Sequence, residues 1–217
     1  MKELIIVGAG GFGREVKCLI ETINRSADKP QFSILGFVDD DASKENELHG
    51  LPLLGPSEYI STISKDVGLV LAIGNPKIKR QLFSRFREHS FPNIVHPNVS
   101  LDNFGIQIGK GCIICEGTIL TCDIEIGDFC ILNLACTIGH DSKVGSYSSI
   151  MPAVNISGEV IIASGVYIGT GAKIINQVSI GEESIIGAGA VVSKSIPAYC
   201  TAVGIPAKPI KFSKENE

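Results

Sequence analysis

Residues 136–156 read CTIGHDSKVGSYSSIMPAVNI, and a branched aliphatic returns at every sixth position: Ile138, Val144, Ile150 and Ile156. Two places before each stands a small or β-branched residue: Cys136, Ser142, Ser148 and Val154. Followed outward, the phase holds without an insertion from Ile108 to Val192, through fifteen branched aliphatics. A period of six is neither helical nor that of an extended hairpin. It fits short strands joined by tight corners, stacked as a parallel β-helix. Side chains alternate along a strand, so the aliphatic and the small residue two before it both point inward. Three rungs make one coil, so residues eighteen apart stack. The array then forms about five coils, and at ~4.8 Å per coil it rises about 24 Å.

Upstream the rhythm differs. Leu4–Val7 reads as a strand, and Arg14–Ile23 as a helix with Val16, Leu19, Ile20 and Ile23 on one face. Ile34–Val38 and Val67–Ile73 read as strands, Pro76–His89 as a helix with proline in its first turn, and Ile94 and Val95 as a short fourth strand. Strands alternating with helices predict a parallel α/β sheet. The expected division is 1–97 for this α/β domain and 98–217 for the all-β solenoid. Ile196–Lys211, with Gly-Ile-Pro-Ala-Lys at 204–208, is expected to cap one end and the α/β domain to cover the other.

Composition narrows the partners. Net charge is −4 and there is no basic block, against nucleic acid as the main partner. No apolar run reaches the ~18 residues of a membrane span, and the first residues read as a strand rather than a signal peptide, so a cytoplasmic protein is expected. Of seven cysteines, Cys112 and Cys115 form a C-x-x-C, but no second pair follows at zinc spacing and no histidine lies nearby. Cys112, Cys130 and Cys136 fall on inward positions of the repeat and read as small buried side chains. No metal is expected.

Two places can carry chemistry. His140 is the only histidine of the repeat half, and it follows Ile138-Gly139 at a corner, where a side chain points outward. Imidazole titrates near neutrality and suits a general base. The adjacent Asp141 could fix its tautomer, if the corner lets it reach the ring. Eighteen residues on stands Gly158, stacked beside His140, and Asn176 follows one coil later. The second place is Gly8-Ala9-Gly10-Gly11-Phe12-Gly13, a G-x-G-x-x-G between first strand and first helix, where backbone amides can approach a phosphate. Asp39 and Asp40 end the second strand, and Gly74 and Asn75 end the third, on the same carboxyl edge of the sheet; Asp41 reads as a solvated turn. His49, His89 and His96 read as structural.

Together GAGGFGREV from Gly8, FVDD ending at Asp40, LAIGN ending at Asn75, the hexapeptide array, GHD at 139–141 and VGIPAKPI from Val203 resemble the sugar acetyltransferases of the NeuD and PglD type over almost the full length. The resemblance implies a Rossmann-like domain followed by a left-handed β-helix. It also implies a homotrimer and acetyl-CoA as cosubstrate, in surface polysaccharide or glycan synthesis. By position it implies that Gly10, Gly11, Phe12, Asp39, Asp40 and Gly74 hold a nucleotide-linked sugar. His140 falls at the catalytic base, Asp141 at its acidic partner, and Asn133 in the stretch just before them. Acetyl-CoA is implied in a groove between subunits, near Gly158, Thr170 and Ala188. Members of the PglD type carry a second histidine against acetyl-CoA where this chain has Ser149, whose hydroxyl can still donate.

The expected reaction is direct acetyl transfer to an amine or hydroxyl of a nucleotide sugar, a UDP-4-amino sugar first and sialic acid as the alternative. An NAD(P)-linked oxidoreductase would leave the solenoid without a purpose. A γ-carbonic-anhydrase-like hydratase needs three histidines, and a scaffold would turn over no acetyl-CoA.

Overall fold

The computed structural model describes residues 1–41, 43, 47–101 and 105–213. The first domain is a five-stranded sheet ordered β3-β4-β2-β1-β5, with β1 (Lys2–Val7), β2 (Phe32–Val38), β3 (Glu47–Leu48), β4 (Leu51–Gly55) and β5 (Gly68–Leu71). Leu4, Ile5, Ile6 and Val7 are all buried, because neighbouring elements cover both faces of this central strand. Helix α1 (Gly11–Ser26) buries the expected stripe of Val16, Leu19, Ile20 and Ile23. Helix α2 (Pro76–Phe86) is capped by Asn75, whose side chain accepts from the amides of Lys77 and Ile78, and it ends short of the expected His89.

Two expectations need correction. The sheet gains β3 and β4, an antiparallel hairpin turning at His49-Gly50 with φ of 52° and 77°, which the sequence reading missed. Ile94–Val95 is a strand, but it pairs with Ile113–Ile114 and so belongs to the solenoid.

The second half is a left-handed parallel β-helix of three faces. Register advances by eighteen, as in Gln107↔Glu125↔Lys143↔Ile161↔Ser179. One face runs from Ile94–Val95 through Ile113–Ile114, Ile131–Leu132 and Ser149–Ile150 to the cap. A second contains Thr137–Ile138 and Asn155–Ile156, and a third contains Lys143–Val144 and Ile161–Ile162. Every sixth residue from Gly105 to Glu183 and Gly189 has positive φ, so each corner turns through one left-handed residue. Nine of these fifteen are not glycine, Asp141 (φ 57°) among them. The inward small polar residues tie coils together: Cys130 Sγ, Ser142 Oγ and Ser148 Oγ donate to the carbonyls of Gly145, Ser157 and Ala163 at 3.3, 3.1 and 3.1 Å. This gives the inward cysteines a bonding role besides packing.

Cys200–Val203 and Lys208–Phe212 form an antiparallel hairpin that closes the C-terminal end. The first domain packs against the flank of the solenoid rather than covering its other end. Ile113, Cys115 and Ile131 join the core beneath α1, and Phe129 joins the core containing Leu82 and Phe86. We call this the docked face. Among the described residues no helix is long and apolar enough to cross a membrane.

Candidate active site

The predicted site residues fall into separate places. The first is the carboxyl edge of the sheet. Helix α1 starts at Gly10 without a side-chain cap, so its first amides point to this edge. A side chain at Gly10 would meet nothing within 4 Å, and at Gly11 only Arg14 Nη2 at 4.0 Å, so the approach is open. Phe12 is half-buried against the domain core. A cavity of about 200 Å³ lies beside this loop, lined by Gly8, Asp39, Asp40, Ser57, Ile73 and Ile78 among others.

The acids here are already engaged. Asp39 accepts from the Ala9 amide at 2.7 Å and the Asp41 amide at 2.9 Å, so it shapes the glycine loop. Asp40 accepts from the Ser57 amide at 2.6 Å. Both residues line the cavity. Asn75 is the cap of α2, and Gly74 lies against Met151 of the solenoid, where an added Cβ would stand 3.9 Å from Cε. Sequence reasoning missed Ser57, Ile73, Ile78 and Leu82 as lining groups.

The second place is the edge between the second and third faces. His140 Nδ1 lies 2.8 Å from Asp141 Oδ2, with both side chains more than half exposed. The left-handed backbone at Asp141 turns its carboxylate back to the neighbouring ring. A carboxylate only accepts, so Nδ1 carries the hydrogen, and in the neutral ring Nε2 has the lone pair. The ring lies flat on Gly158: an added Cβ there would sit 2.5 Å from Nε2 and 2.6 Å from Cε1. The interstrand ladder uses the amides of Ser157 and Glu159, on either side of Gly158.

The remaining residues lie elsewhere. Thr170 and Ala188 are exposed and stacked on the edge between the docked and second faces, where the Gly189 amide donates to Thr170 O at 2.8 Å. Asn133 lies near that edge but is buried, its Oδ1 accepting from the Leu134 amide at 2.7 Å. Ser149 must be corrected. It is on the docked face, 0% exposed, and its Oγ accepts from Lys79 Nζ at 2.8 Å, so it lines no open groove of this chain. His89 and His96 are buried, with ring nitrogens near Val67 O and the Asn98 amide, as structural roles require. His49 helps line a cavity of about 440 Å³ between α1 and the solenoid that touches none of the predicted site residues.

The first domain touches the docked face and the two edges bounding it, through Phe129, Tyr147 and Met151. His140 occupies the third edge, so one chain does not bring its sheet-edge cavity and its imidazole into one cleft.

Residues 3–86 match the family described as PglD N-terminal domain, and residues 159–194 match the bacterial transferase hexapeptide repeats. The chain is 34% identical over 125 residues to a UDP-N-acetylbacillosamine N-acetyltransferase of Bacillus subtilis (strain 168), covering 55% of this chain and 51% of the relative. It thus spans about half the length of the curated relative it matches. Among solved structures it is similar to the acetyltransferase domain of PglB from Neisseria gonorrhoeae FA1090 (28% identity, TM-score 0.87, 97% and 100% of the two chains), which is also solved with acetyl coenzyme A. It is similar to PerB from Caulobacter crescentus in complex with CoA and GDP-perosamine (26%, TM-score 0.87, 96% and 97%). Forms of that perosamine N-acetyltransferase with one histidine replaced by asparagine or alanine are solved in the same complex. It is also similar to WeeI from Acinetobacter baumannii AYE (33%, TM-score 0.81, 95% and 99%).

Proposed function

Because the chain belongs to the sugar acetyltransferases of the NeuD and PglD type, we propose that it moves the acetyl group of acetyl-CoA to an amine of a nucleotide-linked amino sugar, a UDP-4-amino sugar, with His140 as general base. The observation that carries this reading is the imidazole clamped by Asp141 and laid on Gly158 at an open edge. The relatives that bind nucleotide amino sugars and CoA support an amine over a hydroxyl acceptor. The perosamine enzyme with one histidine replaced is still solved with both ligands, so that histidine is not required for binding them.

In the proposed reaction the uncharged amine attacks the thioester carbonyl. An N–C bond forms, the C–S bond breaks, and the amine proton passes to His140 Nε2 and then to the departing sulfur. Asp141 holds the ring in place as that proton arrives. The Gly158 amide, between the two amides that the ladder uses, is the backbone donor for the developing oxyanion. The sheet-edge cavity takes the nucleotide, its diphosphate meeting the amides at the start of α1. Since that cavity and His140 lie apart in one chain, the working site is formed between neighbouring copies. A trimer closes this arrangement with identical contacts. Thr170 and Ala188, away from His140 in one chain, then line the acetyl-CoA groove from the neighbour. Nucleotide sugars and acetyl-CoA are cytosolic metabolites, so the reading puts the enzyme in the cytoplasm, in surface polysaccharide synthesis.

The test is thiol release from acetyl-CoA against a panel of nucleotide sugars. Turnover with a UDP-4-amino sugar is expected, and silence with every amino sugar would remove the reading. A variant adds detail. Asparagine tolerates left-handed backbone, so Asp141→Asn keeps the corner but loses the carboxylate. Its kcat is expected to fall about tenfold, ~1.4 kcal/mol, a modest effect because both side chains are solvated. Steady-state rates check this, and an unchanged kcat would show that the ring orients without the acid.

A further inference from the structure

We propose that Lys79 is a positioning residue for the nucleotide-sugar cavity: its buried ammonium fixes α2, and with it one wall of the cavity, to the solenoid. This rests on reading the sheet-edge cavity as the nucleotide-sugar site. Lys79 is 1% exposed. Its Nζ donates to Phe129 O at 2.8 Å, Ser149 Oγ at 2.8 Å and Ser148 O at 3.2 Å, so its three hydrogens meet three acceptors from two successive coils.

The same stripe of α2 carries Phe83, whose ring centroid lies 4.7 Å from that of Phe129, and the next residue, Arg80, reaches Glu183 at 2.9 Å. The adjoining stripe, Ile78 and Leu82, lines the cavity. Lys79 also sits in the first turn, its amide donating to Asn75 O, so its position sets that of the Gly74-Asn75 edge. Burial pushes its pKa down from 10.5 to about 8. Holding an ammonium here is therefore costly, and packing alone would be served by an apolar chain of equal length. What the charge adds is direction, because three fixed acceptors define one place for the helix.

The experiment compares wild type with Lys79→Met. KM for the nucleotide sugar is expected to rise about tenfold, as for loss of a charged hydrogen-bond anchor, while KM for acetyl-CoA changes less than about twofold. Amide hydrogen exchange over 72–79 should quicken in the unliganded variant. A variant that loses only thermal stability, with both KM values and the exchange unchanged, overturns the proposal. If Lys79→Met does not fold, Lys79→Gln, which keeps two donors on a shorter chain, is read by the same measurements. Failure of wild type to bind UDP or any nucleotide sugar would sink the function reading instead, and the exchange measurement would still decide the anchor.

Discussion

His140→Ala is expected to lower kcat by about 10²–10⁴-fold, the usual contribution of a positioned general base, while both substrates bind within about twofold of wild type. The variant should fold. The His140 side chain is more than half exposed at a corner, so its removal opens no internal cavity, and its backbone carbonyl still accepts from the Glu159 amide at 2.8 Å. Asp141 does not substitute for it. Its carboxylate lies behind the ring, on the Nδ1 side, away from Nε2 where the acceptor amine would give up its proton. His140→Asn should lose as much, since an amide keeps polarity but takes no proton. Initial rates of thiol release and calorimetric titration with each substrate separate chemistry from binding. A kcat within about threefold of wild type would remove the imidazole from the mechanism.

Gly158→Ala should lower kcat about 10²-fold by pushing the His140 ring aside, the scale of a reacting group displaced by about 1 Å. An ideal Cβ at 158 stands 2.5, 2.6 and 2.9 Å from Nε2, Cε1 and Cδ2 of His140, and these are its nearest neighbours. Gly158 is not among the left-handed corner residues, so alanine strains no backbone. The obstruction is an exposed ring that can swing outward, which spares stability and spoils geometry. The swing also opens the 2.8 Å contact to Asp141, so Gly158→Ala and Asp141→Asn should be less than additive when combined. Unchanged melting with a lost kcat is the expected pattern; retained kcat would mean that the ring works away from the coil above it.

Much of this was legible in the chain because a solenoid writes its geometry into one period. Inward Ile138, Val144 and Ile150 recur at fixed spacing, and the eighteen-residue advance places Gly158 beside His140 before any coordinates are known. Outward positions carry no such rule. Ile113 and Ile131 are buried on the docked face, yet Ile119 and Ile161, equivalent in sequence, are 58% and 55% exposed on the others. Nothing local distinguishes them, so the docked face, and with it the burial of Ser149, could not be read. The same holds for polar groups: an aspartate after a strand is visible, but that Asp39 is bound to the Ala9 amide and Asp40 to the Ser57 amide depends on loops meeting in space. Lys79 reads as an ordinary solvent-facing lysine until the Phe129 and Ser148 carbonyls are brought over it. The hairpin at His49-Gly50 escaped because its first strand is only two residues long, too short for a period.

The locked advance of the coils makes chain length a coordinate system. Six extra residues between Ile114 and His140 would leave the interior intact yet carry the imidazole about a third of a turn around the prism, onto a different edge. Eighteen would return it to its own edge but raise it by ~4.8 Å, one strand spacing, relative to the coil of Ile113–Ile114. A number that is not a multiple of six would turn the aliphatic residues out into water. Lineages built on this scaffold can therefore change its loops and termini freely, but the distance between the anchored domain and the reacting nitrogen is quantised.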